Sequence, residues 1–225
     1  MARYSPNAIP MVSCDPFFPQ MTYSELLLAV QAASLTIFGT IPSKKGTLAL
    51  LGPHEPNYWP VVSESPEWKD KAPDPVDRWS KRVIDTLATQ LNATAYFPFG
   101  ADPSPFLIWA QQSDRAWQSP IGMVVQSEAG LLASYRGALE FDYKIRAPTA
   151  DNPCPNCHQP CKIACPVNAL GKYTYDVEAC QGYIREDPNQ HCFSGGCLAR
   201  RACPISASHP RLPEHSSYHM KAFLK

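Results

Sequence analysis

Four cysteines crowd residues 154–165, in the stretch PCPNCHQPCKIACP, spaced C-x2-C-x3-C-x3-C with a proline directly after the last. Cys180, Cys192, Cys197 and Cys203 follow, and Cys203 is again succeeded by a proline. Thiols so clustered pair as disulfides, hold zinc, or hold iron–sulfur clusters. The start, MARYSPNAIP, places prolines where a leader would need an apolar run, so a cytoplasmic, reducing location is expected and disulfides are disfavoured. Zinc ribbons present well-separated C-x2-C pairs, whereas here two further cysteines follow the first pair at once. Iron–sulfur chemistry fits better. Bacterial ferredoxins take three thiolates from a short loop and a fourth, preceding a proline, from the other motif.

Crossing the two Cys-Pro ends in that way gives Cys154, Cys157, Cys161 and Cys203 to one 4Fe–4S cluster. Cys165, Cys180, Cys192 and Cys197 would hold a second. The spacing departs from the bacterial pattern, with three residues before the third cysteine and eleven, four and five between the later ones. Gly195 and Gly196 lend the backbone freedom to wrap around a bound group. Cys14 is left over as a bystander thiol. His158 and His191 adjoin the cysteines and read as neighbours of the ligands. Lys162, Arg200 and Arg201 could tune a cluster or dock a redox partner, with plain surface charge as the alternative.

These residues need elements to position them. The chain has 225 residues, 44% hydrophobic and 18% charged, with zero net charge, so neither nucleic acid nor a membrane is expected as a partner. The pattern divides it at 145. Residues 1–145 read as an α/β cofactor- or substrate-binding domain, whose pattern over 22–145 is equally open to α+β. Thr22 or Ser24 caps a helix bearing Leu26, Leu27, Val30, Ala33 and Ile37, and GTLALLG (46–52) is a buried strand. PHEPNYWP is a rigid loop, in which His54, Glu55, Asn57, Tyr58 and Trp59 could line a pocket or simply pack.

A helix over DPVDRWSKRVIDTLATQLN starts with Pro75 and buries Val76, Trp79, Val83, Leu87 and Leu91, leaving Asp77, Arg78, Lys81 and Asp85 solvated. Strands are predicted over 94–99, 121–126 and near 134–143, and a helix from about 104 to 113. No GxGxxG or phosphate loop occurs. Residues 146–225 show little apolar periodicity, so bound clusters are expected to order them. Their tail, HPRLPEHSSYHMKAFLK, reads as a surface strap whose histidines lack metal-ligand spacing.

The order of features, with LLASYRGALEFDYKI before the first cysteine run, YDVEACQGYI after it and a final Cys-Pro, resembles the epoxyqueuosine reductase family and its corrinoid-dependent reductive dehalogenase relatives. The resemblance covers about residues 75–204 and lacks the family's C-terminal helical-repeat domain. It implies an α+β fold, with a nitroreductase-like domain ahead of a ferredoxin-like module of two 4Fe–4S clusters. It also implies cobalamin in the first domain. Tyr135 and Arg136, in the segment similar to the family's connector between catalytic domain and clusters, are candidate cofactor-binding residues. Arg136 and Arg115 could meet phosphate or carboxylate groups of a ligand, with surface ion pairing as the alternative. The family's Asp-x-x-Pro element matches ADPSPF, which makes Asp102 the candidate proton donor.

The resulting expectation is an iron–sulfur oxidoreductase. It would take electrons from a ferredoxin- or flavodoxin-type donor and pass them to a cofactor or small-molecule substrate. Two alternatives remain open: a ferredoxin-type carrier or electron-transfer subunit without a catalytic site, and an interaction module stapled by its clusters.

Overall fold

The computed structural model describes residues 20–186 and 191–224; Cys14 lies outside them. The architecture is mixed α+β. In α1 (Tyr23–Ala32), Thr22 closes a capping box with Glu25, and Leu26 and Val30 are buried. The predicted apolar stripe ends early. Ser34 adopts a positive φ of 60°, and Ile37 belongs to β1 (Leu35–Pro42), not to the helix.

β2 (Thr47–Pro53) is buried along its whole length at the centre of the sheet. The order is β1-β2-β6-β3, antiparallel throughout, with β3 (Thr94–Tyr96) and β6 (Gly137–Phe141). Of the two readings of the first half, α/β or α+β, the antiparallel sheet selects α+β. Alternation along β2 sends Ala49 and Leu51 to one face and Leu48 and Leu50 to the other. A bulge between Ile37 and Gly39 shifts the phase of β1, so Ile37 joins the first face and Ile41 the second.

Helices cover both faces. On the first lie α1, α2 (Tyr58–Ser63), α3 (Pro66–Lys69) and α4 (Pro75–Gln90). Pro75 opens α4, which buries Val76, Trp79 and Leu87 as read, but turns Ile84 rather than Val83 fully inward. Asp77 is not merely solvated: it pairs with Arg136 at 3.2 Å. The expected loop PHEPNYWP contributes Tyr58 and Trp59 to a helix and to the core. The second face carries α5 (Phe106–Gln112). A two-stranded ribbon, β4 (Ala116–Gln118) and β5 (Val124–Gln126), stands beside the main sheet.

Beyond β6 the chain makes a 3-10 turn (Pro160–Lys162) and then α6 (Val177–Glu186), α7 (His191–Gly195), α8 (Leu198–Arg201), α9 (Pro204–Ser208) and α10 (Pro213–Phe223). This half does possess apolar cores, contrary to the periodicity reading. One joins Ile121, Val125 and Leu131 of the first half to Cys161, Ala199 and Cys203; another joins Ile184, Cys192 and Met220. The boundary at 145 is thus bridged by a shared core.

Polar contacts reinforce the junction. Leu131 N–H donates to Ser206 Oγ at 2.8 Å, Arg211 donates to the Leu132 carbonyl at 2.7 Å, and Arg200 donates to the Leu131 and Ala133 carbonyls. Nor is the tail a surface strap. It forms α10, with Tyr218 against Trp59 and Trp68 and with His215 wholly buried. Among the described residues no helix is long and apolar enough to cross a membrane.

Candidate functional site

Each run of cysteines is bent by local backbone devices. Gln159, at a positive φ of 53°, starts the 3-10 turn that carries Cys161 back toward Cys157. Cys197 and Cys203 hold the N-cap positions of α8 and α9, Cys203 in an extended conformation, so each cysteine sits where a helix begins. Gly196 has a φ of 88°, and a β-carbon there would lie 2.6 Å from that of Ser216 on α10. Only glycine permits both the turn and that close approach.

The eight cysteines, all free thiols, fall into two groups of four. Cys154, Cys157, Cys161 and Cys203 line a cavity of about 370 Å³, closed on its other sides by Val125, Leu131, Pro160 and Ile205. Cys165, Cys180, Cys192 and Cys197 line a second, of about 200 Å³, with Met123, Tyr183, Met220 and Phe223 among its walls. Cys203 thus faces the first run and Cys165 faces the later cysteines.

Burial raises the thiol pKa values of Cys154 and Cys161, and the thiols of Cys203 and Cys157 facing each of them raise them further. Burial likewise raises those of Cys180 and Cys192, with Cys197 and Cys165 adding to it. Donors already point at sulfur. Gln159 N–H lies 3.3 Å from Cys157 Sγ, Ala169 N–H 3.3 Å from Cys165 Sγ, and Tyr175 O–H 3.5 Å from Cys180 Sγ. Such hydrogen bonds to sulfur set the potential of a thiolate-held cluster.

Among the described residues no three His, Cys, Asp or Glu side chains converge so as to hold a metal ion. Each four is spread around a cavity instead of a point. A single tetrahedral ion needs Zn–S distances of about 2.3 Å, which demands a point; a multi-atom iron–sulfur group takes its thiolates from around a volume. Two sets of four thiols are a donor set of the kind that holds such a group.

No family model, no curated protein and no solved structure matches this chain. The site has to be read from its own residues.

The other candidates do not gather with the cysteines. Asp102 is exposed on the bend before α5 and lines neither cysteine cavity. Arg136 is turned to Asp77 and to the face of Phe99, 5.8 Å from the ring centroid. Tyr135 packs edge-on against Phe38, and its hydroxyl is buried without a partner, with burial raising its pKa. None of the three lines either cysteine cavity.

His158 lines the first cavity from an exposed position, and His191 is exposed. Arg200 clamps the interdomain carbonyls and is not a free docking charge. Arg115 is buried against Glu128 and the Pro148 carbonyl, which accounts for its charge without a ligand.

Sequence reasoning missed the polar group beside the second cavity. His219 lines that cavity, His215 sits one helical turn earlier, and Glu55 meets His215 from the first half. The signal was present in HSSYH, whose histidines at i and i+4 share one face of a helix.

Proposed function

We propose that the chain is a two-cluster iron–sulfur protein that accepts and passes on single electrons. In this reading Cys154, Cys157, Cys161 and Cys203 hold one 4Fe–4S cluster, and Cys165, Cys180, Cys192 and Cys197 hold the other. The observation that carries it is the partition of eight thiols into two fours, each around its own largely apolar cavity. When bound, the clusters supply one-electron redox chemistry. The chain's own part is to supply thiolates, to exclude water with Val125, Leu131, Tyr183 and Phe223, and to aim N–H and O–H groups at sulfur.

The carrier or electron-transfer-subunit form is favoured over a reductase with its own cofactor, because Asp102, Tyr135 and Arg136 line neither cysteine cavity. The first half then acts as a scaffold, nitroreductase-like in the family reading, braced against a ferredoxin-like module. Its partner would be a one-electron protein of the ferredoxin or flavodoxin class.

Protein purified without oxygen tests this directly. About eight iron and eight sulfide per chain, with reversible bleaching of visible absorbance on reduction, is the expected result. Zinc in place of iron, or iron that does not reduce, would overturn it.

A further inference from the structure

Among the described residues Glu55 is the one buried carboxylate, and its side chain, against α10, is 1% exposed. Its Oε1 lies 2.6 Å from His215 Nδ1, and His215 Nε2 lies 3.1 Å from His219 Nε2. The His215 ring stacks on Trp59 at 4.9 Å and leans on Tyr58, which fixes its plane. His219 lines the second cavity together with Cys165, Cys180, Cys192 and Cys197. A hydrogen-bonded row therefore runs from a buried carboxyl to the wall of that cavity.

Two features set it apart from a structural network. Glu55 Oε2 and Arg211 Nε are both buried without hydrogen-bond partners, whereas purely structural buried groups are ordinarily satisfied. The groups facing the row are Arg211, Arg136, Arg200 and His209, with the Tyr58 hydroxyl beside them. Burial holds Glu55 up to about 7 against the lowering effect of Arg211. Burial first, then the arginines, pushes both imidazoles down, so the rings stay neutral.

Neutral rings leave two arrangements. With Glu55 as the acid, its O–H donates to His215 Nδ1, His215 Nε2–H donates to His219 Nε2, and His219 keeps its hydrogen on Nδ1. With Glu55 ionised every bond reverses, and His219 Nδ1 is bare. The two differ by one proton, and the state of Glu55 is expressed at the cavity wall.

We propose that Glu55, His215 and His219 form a proton-coupling row for the second cavity, so that an electron arriving there is matched by one proton taken up by the row. This rests on the two-cluster reading. The electron comes from an external one-electron donor. The proton comes from water and converts the Glu55 carboxylate to its acid. No other bond is made or broken. Added negative charge in the cavity favours the arrangement in which His219 carries Nδ1–H, which is the Glu55 acid form.

The full chain, loaded with iron and sulfide without oxygen, is titrated with dithionite and followed by electron paramagnetic resonance from pH 6 to 9. Below about pH 7 Glu55 already holds its proton, so the potential of the second-cavity group should be flat. Above that it should fall toward a tenfold change in equilibrium constant per pH unit, about 59 mV for one electron.

Reduced-minus-oxidised infrared spectra at pH 8 should show a carboxylic-acid band, shifted when the glutamates carry carbon-13 carboxyls. Glu55→Gln, which still donates to His215 Nδ1, should abolish both signals. The band in labelled wild-type protein does not depend on how that variant folds. A pH-independent potential in loaded wild-type protein, or a slope and band that survive in Glu55→Gln, would overturn the row alone. A chain that binds no iron would overturn the two-cluster reading and the row together.

Discussion

Cys203 precedes α9 by one residue and belongs in sequence to the last cysteine run, yet it faces the cavity of the first. Cys203→Ala should therefore cost the group held by Cys154, Cys157 and Cys161, while Cys197→Ala should cost the other. Each variant should retain about half the iron, with spectra complementary to one another. Two variants that lose the same signal would contradict the partition. At this scale the sequence was informative where chemistry is written in residue type: cysteine spacing and following prolines are legible without a fold. Asp102 shows the opposite case. Its motif is readable, but burial is a property of the whole surface, and here the residue stands in solvent. Glu55 was equally illegible, since its partner lies 160 residues away.

Among the elements, the segment between β5 and β6 carries the junction, and one glycine lets it do so. Gly130 has a φ of 57°, and a β-carbon there would stand 2.5 Å from the Ser206 backbone nitrogen. Gly130→Ala should cost at least about 2 kcal/mol in urea unfolding, through left-handed strain and a clash that cannot be relieved by a side chain. It should also loosen the first cavity, because Leu131 and Ile205 flank the displaced contact. A change under about 0.5 kcal/mol, the range of ordinary surface substitutions, would show that the halves are not braced there.

α4 was readable from its apolar stripe and Pro75, and β2 from its unbroken apolar run. β1 was not, because its bulge breaks the alternation that marks a strand. The helices of the second half are mostly five residues or fewer, too short for a 3.6-residue period to register.

For the whole molecule, stability should depend on pH through buried His215 and half-buried His209 and His219. Burial holds His209 down to about 4, and His215 and His219 are also lowered. The unfolded chain takes up protons on all three below about pH 6.5, and the folded chain does not, so acid favours unfolding. Glu55 acts in the opposite sense, keeping its proton up to about 7 when folded but releasing it near its ordinary 4.5 when unfolded. Three imidazoles outweigh one carboxyl between pH 5 and 6.5, so the urea midpoint should rise with pH there. It should then level off above about pH 7, where the imidazole protons still held by the unfolded chain and the Glu55 proton lost by the folded chain nearly cancel. His209→Gln should reduce the slope of the acid limb, while an unchanged slope would place the linkage elsewhere.

The distance along the chain between Glu55 and His215 also sets a timetable. At roughly 5–20 residues per second, the carboxyl is synthesised on the order of ten to thirty seconds before the imidazole that will cover it, 160 residues later. Throughout that interval the seat of α10 on Trp59 and Trp68 stands open, and the second cavity lacks the wall that His219, Met220 and Phe223 provide. The growing chain thus passes through a stage in which four cysteines are present but their enclosure is not. Nascent chains arrested before residue 213 should take up iron faster than the finished protein and surrender it faster to a chelator, as expected of a vessel filled before its stopper is made.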